Sequence, residues 1–111
     1  MIQILKLGHK YQITHSRDTV IENKVGREKY ESPVISFQDG PIKENGLNGI
    51  RNEDLLEVLI DRLEYLQEKD DGRYACPENY EALINIKLAL RRLNARTKDR
   101  IKRGVEGTNK A

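Results

Sequence analysis

The sequence predicts an α+β fold: a small N-terminal antiparallel β-sheet followed by a two-helix antiparallel hairpin, assembled into a homo-oligomer. Three observations point there. Short apolar runs with period-two alternation fill the first third of the 111-residue chain. Two stretches of helical apolar spacing fill the rest. The second of these stretches carries apolar residues on more than one side and ends in a dense basic run, which a lone hairpin does not bury.

The strands come first. Ile2, Ile4 and Leu5–Leu7 form a β-type run that Gly8 breaks, and Tyr11, Ile13 and His15 alternate with polar residues. Thr19–Ile21 and Val34–Phe37 are two further candidates, separated by the polar stretch 22–32. The segment 38–51 (QDGPIKENGLNGIR) is dense in turn formers and joins sheet to helices, with room for a short hairpin around Ile42. The expected division is thus a sheet region and joint over 1–51 and a helical hairpin over 52–111.

The first helix has Asn52 as an expected N-cap, with Glu53 and Asp54 in its first turn where acids complement the dipole. Leu55, Leu56, Leu59, Ile60, Leu63 and Leu66 recur at helical spacing, and Lys69-Asp70-Asp71-Gly72 reads as a loop. The second helix starts near Cys76-Pro77 and runs to about Arg103. Leu83, Ile86, Leu90 and Leu93 make one stripe that can face the first helix. Tyr80, Ile84 and Leu88 make another that needs the sheet or a second subunit. At 1.5 Å per residue the second helix is roughly 40 Å long and the first roughly 24 Å. Residues from Asn94 onward therefore overhang the hairpin without a helical partner.

Composition limits the function classes. With 37% hydrophobic and 34% charged residues, one small domain has a thin core. The formal net charge of +2 says little, but its distribution says more. Residues 53–71 are strongly acidic, whereas Arg91, Arg92, Arg96, Lys98, Arg100, Lys102 and Arg103 reverse the sign. A single cysteine excludes an intramolecular disulfide. No leader pattern and no run of about 20 apolar residues is present, so a soluble cytoplasmic protein is expected.

No catalytic set emerges. His9 and His15 have no metal-ligand spacing with Cys76, and Cys76 has no adjacent base. The glycines form turns rather than a phosphate-cradling or dinucleotide loop. The chain is expected to be no enzyme and to need no cofactor or metal. The best candidate site is the stripe Arg92, Arg96, Arg100 and Arg103, which one helical face carries. Guanidinium groups bind phosphates bidentately and stack on bases. The alternative is a face that complements the helix dipole or pairs with the acids of the first helix. After it, RGVEGT (103–108) offers Gly104 as a helix stop and enough glycine for the chain to fold back.

Three segments in order, FQDGPIKENGLNGIRNEDLLEVLIDRLEYLQ (37–67), ACPEN (75–79) and LNARTKDRIKRGVEGT (93–108), resemble phage proteins that share an anti-CBASS/Thoeris anti-defence helical-hairpin domain. The resemblance implies a nucleotide sponge. It would hold cyclic immune signals, glycocyclic ADP-ribose isomers or cyclic oligonucleotides, without cleaving them. It also implies a homo-oligomer, a hexamer built from dimers, with pockets between subunits in the host bacterial cytoplasm. The asparagine of the family's Cys-x-Glu-Asn motif falls on Asn79, and the arginines of Arg-Thr-x-x-Arg fall on Arg96 and Arg100. Leu66 stands where relatives usually carry a base-stacking Phe, with Tyr65 or Tyr74 as nearby substitutes, and Pro77 stands where an arginine is common. Two other classes remain open. One is a nucleic-acid-binding regulator, disfavoured by few aromatics and near-neutral charge. The other is a phage accessory protein docking an acidic partner through its basic end.

Overall fold

The computed structural model describes residues 1–15 and 32–111. β1 (Ile2–Lys6) and β2 (Lys10–Ile13) form a hairpin, and β3 (Val34–Ser36) adds to β2, giving an antiparallel sheet in the order β1-β2-β3. Gly8 turns the hairpin at φ +75°, a left-handed conformation that a Cβ disfavours. The register sets Ile2 opposite Ile13, Ile4 opposite Tyr11 and Tyr11 opposite Ile35. Period-two alternation therefore gathers these apolar residues on one face. His15 lies beyond the end of β2, and the candidate strand Thr19–Ile21 lies outside the described residues.

The joint differs from expectation. Instead of a hairpin around Ile42, Ile42–Asn45 forms a one-turn helix, α1. Pro41 fixes φ at −64° ahead of it, and its carbonyl accepts from Asn45 N–H at 2.8 Å. Side chains fasten the rest. Gln38 Nε2 donates to the Gly46 carbonyl at 2.8 Å while its Oε1 accepts from Asn48 N–H at 3.0 Å. Asn48 bridges back to both backbone groups of Asp39 at 2.8 Å. Phe37 then pairs in parallel with Ile50, and Tyr11 meets the Phe37 ring edge-on at 5.9 Å. These contacts tie the sheet to the start of the helices.

Helix α2 spans Asn52–Gly72, but its regular part stops at Glu68, since Lys69, Asp70 and Asp71 leave helical geometry. The expected loop at 69–72 thus exists. The cap is Arg51 rather than Asn52: Arg51 N–H donates to Asp54 Oδ2 at 2.8 Å and its guanidinium to Oδ1 at 3.1 Å. An acid at the third helical position does the capping from inside the helix.

Helix α3 spans Pro77–Lys102. The Cys76 thiol caps it by accepting from Asn79 N–H at 3.4 Å. At the other end Gly104 N–H donates to the Ile101 carbonyl and Val105 N–H to the Arg100 carbonyl, both at 3.0 Å, with Gly104 at φ +71°. This is a Schellman stop, so Gly104 ends the helix as its sequence position suggested.

The two helices pack antiparallel, and Lys87–Glu64 bridges them at 2.8 Å. Leu83 alone among the described apolar residues falls below a tenth exposed; Ile86, Leu90 and Leu93 are half-buried beside it. The second stripe stays open, with Tyr80, Ile84 and Leu88 each 45–58% exposed. The radius of gyration is 17.8 Å, against about 13 Å for a compact chain of this length. The described residues of one chain thus bury little apolar surface.

Candidate functional site: a cleft at the basic end of the hairpin

A cleft of about 460 Å³ opens where the sheet, the joint, the first turn of α2 and the last turns of α3 meet. From α3 it receives Arg96, Thr97 and Arg100; from α2, Asn52 and Glu53; from the tail, Glu106, Gly107 and Thr108. The overhang is therefore shorter than helix lengths predict. The start of α2 reaches Arg96 and Thr97, and non-helical chain covers Arg100 beyond it.

The four arginines of the stripe have separate fates. Arg92 and Arg96 are exposed, and neither forms an ion pair among the described residues. Of these two, Arg96 borders the cleft and Arg92 does not. Arg103 pairs with Asp99 at 2.9 Å and donates to the Ala111 carbonyl at 3.0 Å, away from the cleft. Arg100 is 7% exposed. Its Nε–H donates to Glu106 at 3.2 Å, one Nη to the Lys110 carbonyl at 2.8 Å, and the other to the Val105 and Thr108 carbonyls at 3.0 and 3.2 Å. The tail folds back as its glycines allow, and Arg100 holds it there. Of five guanidinium donors, one remains for anything else.

The acids of α2 do not neutralise the stripe. Glu64 takes Lys87, which lies outside it, and Arg51 takes Asp54 and approaches Glu53 at 3.5 Å. Arg91, Lys98 and Lys102 also lack ion pairs among the described residues. A shallow groove of about 430 Å³ on another face of α3 joins Arg91, Lys98 and Lys87.

Asn79 and Leu66 sit elsewhere. Both are half-buried at the loop end of the hairpin, where Gln67 Oε1 accepts from Cys76 N–H at 3.1 Å. Lys69 Nζ lies 5.7 Å from the Tyr65 ring and 5.6 Å from the Tyr74 ring, so both tyrosines near Leu66 already face a cation. From Asn79 to Arg96 the rise along α3 is about 25 Å. A single chain does not bring the two groups of residues together.

Sequence reasoning missed Glu53, Thr97 and Glu106 as cleft residues. Thr97 had a signal, since it follows Arg96 on the same turn. Glu106 had none, because its place depends on the tail folding back. His9 also borders the cleft, with its Nδ1 buried and without a hydrogen-bond partner among the described residues. Nearby, a hydrogen bond from Lys6 holds the Asp39 carboxyl below its ordinary value of 3.8; burial opposes this, and the charge of His9 helps it. No cluster of three or more metal-ligating side chains occurs among the described residues.

A small antiparallel sheet followed by a two-helix hairpin, with an exposed and unpaired Arg96 at the rim of a cleft that also holds Arg100 and Glu106, defines the class by its fold. Residues 29–98 match the Acb2/Tad1 hairpin domain, and the chain belongs to that family. The family is not one of enzymes. Thoeris anti-defense 1 of Bacillus phage SBSphiJ7 is 45% identical over 76 residues, which are 68% of this chain and 51% of that protein. The chain thus spans about half the length of the curated relative it matches. No helix among the described residues is long and apolar enough to cross a membrane.

Proposed function

We propose that this protein binds and sequesters a cyclic nucleotide immune signal, a glycocyclic ADP-ribose isomer or a cyclic oligonucleotide, in the cytoplasm of an infected bacterium, and releases it intact. The observation that carries the reading is Arg96: an exposed guanidinium without an ion pair among the described residues, at the rim of a cleft that Thr97 also borders. Arg96 takes a phosphate in a bidentate contact. Arg100 adds its one uncommitted N–H and fixes the tail as the far wall. Asn79 bonds a base or ribose edge at the other end of α3, with Leu66 as the apolar wall.

The open stripe of Tyr80, Ile84 and Leu88 supports assembly into a homo-oligomer, a hexamer of dimers, in which pockets are completed between subunits. Such pockets explain how residues about 25 Å apart on one helix both serve nucleotides. Sequestration requires affinity rather than turnover. Nanomolar binding corresponds to about −12 kcal/mol, which a desolvated pocket walled on several sides can reach.

The test is calorimetric titration with glycocyclic ADP-ribose isomers, cyclic di- and trinucleotides and a linear dinucleotide, each recovered by heating and analysed. Tight binding of a cyclic ligand that returns intact is expected, with loss of at least tenfold in Arg96→Ala. A cleaved ligand overturns the sponge reading. An unchanged affinity in Arg96→Ala overturns the site. Absence of binding across the panel favours docking of an acidic partner.

A further inference from the structure

Glu53 is an unexpected lining for an anion cleft. It lies on the first turn of α2, is 8% exposed, and borders the same cleft as Arg96, Thr97 and Arg100. Its contact within the chain is Arg51 Nη1 at 3.5 Å, while Arg51 already serves Asp54 at 3.1 Å. Neither carboxylate oxygen of Glu53 makes a hydrogen bond among the described residues. The helix dipole favours an acid in this turn, but Asp54 already fills the capping role, and the dipole does not require burial. Neither oxygen is an enclosed, unpartnered atom, so the carboxylate keeps acceptor capacity that a donor in the cleft can use.

An ionised carboxylate only accepts. Beside a phosphate it repels. The part of a nucleotide that suits it is a base edge bearing N–H groups. Guanine offers its N1–H and N2 amine side by side, matching the two carboxylate oxygens. Adenine offers one amine next to a ring acceptor. Uracil places its imino N–H between two carbonyls, which the carboxylate repels. The cleft volume of about 460 Å³ suits a nucleotide unit.

We infer that the cleft orients its nucleotide with phosphate on Arg96 and the base edge on Glu53, so that Glu53 selects amine-bearing bases, guanine foremost. This rests on the nucleotide-binding reading above. It makes Glu53 the specificity-determining residue of the cleft.

The experiment titrates wild type, Glu53→Gln and Arg96→Ala with 3′,3′-cyclic di-GMP, cyclic di-AMP and cyclic di-UMP. Wild type is expected to bind the guanine ligand at least tenfold more tightly than the uracil one. An amide both donates and accepts, matching adenine N1 and N6, so Glu53→Gln is expected to shift the adenine-to-guanine affinity ratio at least tenfold toward adenine. Arg96→Ala is expected to weaken all the ligands by a similar factor. A Glu53→Gln variant that lowers every affinity equally, or none, overturns the role of Glu53 while leaving nucleotide binding standing. Binding of none of the three by wild type overturns the inference, while the wider panel with glycocyclic ADP-ribose isomers and cyclic trinucleotides decides the sponge reading separately. If Glu53→Gln fails to fold, wild-type preference decides: equal affinity for the three ligands overturns the inference.

Discussion

Replacing Arg100 by alanine isolates what holds the C-terminal tail. Its guanidinium makes four hydrogen bonds, to Glu106 and to the carbonyls of Val105, Thr108 and Lys110. At about 1.5 kcal/mol each for bonds to a charged donor, they contribute roughly 6 kcal/mol. Ordering the backbone of residues 105–110 costs about 1 kcal/mol per residue, a total of similar size. The tail is therefore held by a narrow margin that the clamp supplies. Its remaining anchors are slight: the Schellman stop, one bond from Lys43 N–H to the Gly107 carbonyl at 3.1 Å, and one from Arg103 to the Ala111 carbonyl at 3.0 Å. Arg100→Ala is expected to release the tail while the hairpin stays folded, because α2 and α3 pack through other residues. Hydrogen–deuterium exchange reads this directly: amides of 105–110 should lose protection and those of 80–95 should keep it. Trypsin should also cut after Arg103 faster than in wild type. Arg100→Lys should behave like alanine, since one ammonium cannot span four acceptors. If tail protection in Arg100→Ala equals that of wild type, the clamp is not what orders the tail and the reasoning fails.

Other outcomes follow from the joint and the core. Gly49→Ala places a Cβ 2.5 Å from the Phe37 carbonyl carbon, a backbone contact that cannot give way, and should cost about 2 kcal/mol or more in denaturant unfolding. Leu83→Ala should cost about 2–3 kcal/mol in the same assay, with the cavity between α2 and α3 as the cause. Asp54→Ala removes the cap of α2 and should lower stability by about 1 kcal/mol. The pH profile carries the same sign: the Arg51 backbone N–H, then its guanidinium, hold the Asp54 carboxyl below its ordinary 3.8, as the Lys6 hydrogen bond does for Asp39. Groups depressed on folding stabilise above their unfolded value, so this contribution should be intact at pH 5 and above and fade as pH falls below about 4 in acid titrations followed by circular dichroism.

The helices were legible because apolar spacing, Pro77 and Gly104 are local signals that agree with the fold. The one-turn helix at 42–45 was not, because Asn45-Gly46 is equally good turn chemistry, and what decides is Gln38 and Asn48 bonding across the joint. The cap moved from Asn52 to Arg51 because Asp54 satisfies the free backbone N–H from the third position, so the flanking residue needs no acceptor. The arginine stripe was legible as a face. Its division into an exposed Arg96 and a buried Arg100 was not, because that depends on a tail whose path no helical period encodes.

In the site proposed above, that division sets how one short motif would serve a ligand. Arg96 and Arg100 lie one turn apart, yet one faces solvent at the cleft rim and the other is consumed by its own chain. A guanidinium held by four bonds cannot move to meet a ligand, so it supplies a fixed wall and a fixed positive charge. A free guanidinium can follow the phosphate. Pairing a rigid cation with a mobile one lowers the ordering cost of binding, because only one side chain loses freedom when the ligand arrives. The same logic applies to the chain as a whole. Among the described residues Leu83 is the one buried apolar side chain while Tyr80, Ile84 and Leu88 stay exposed, and in the proposed oligomer an interface over them would supply core and rigidify the pockets it borders. In that proposal affinity and assembly draw on the same apolar surface, so a substitution such as Leu88→Arg should weaken nucleotide binding without touching either end of α3.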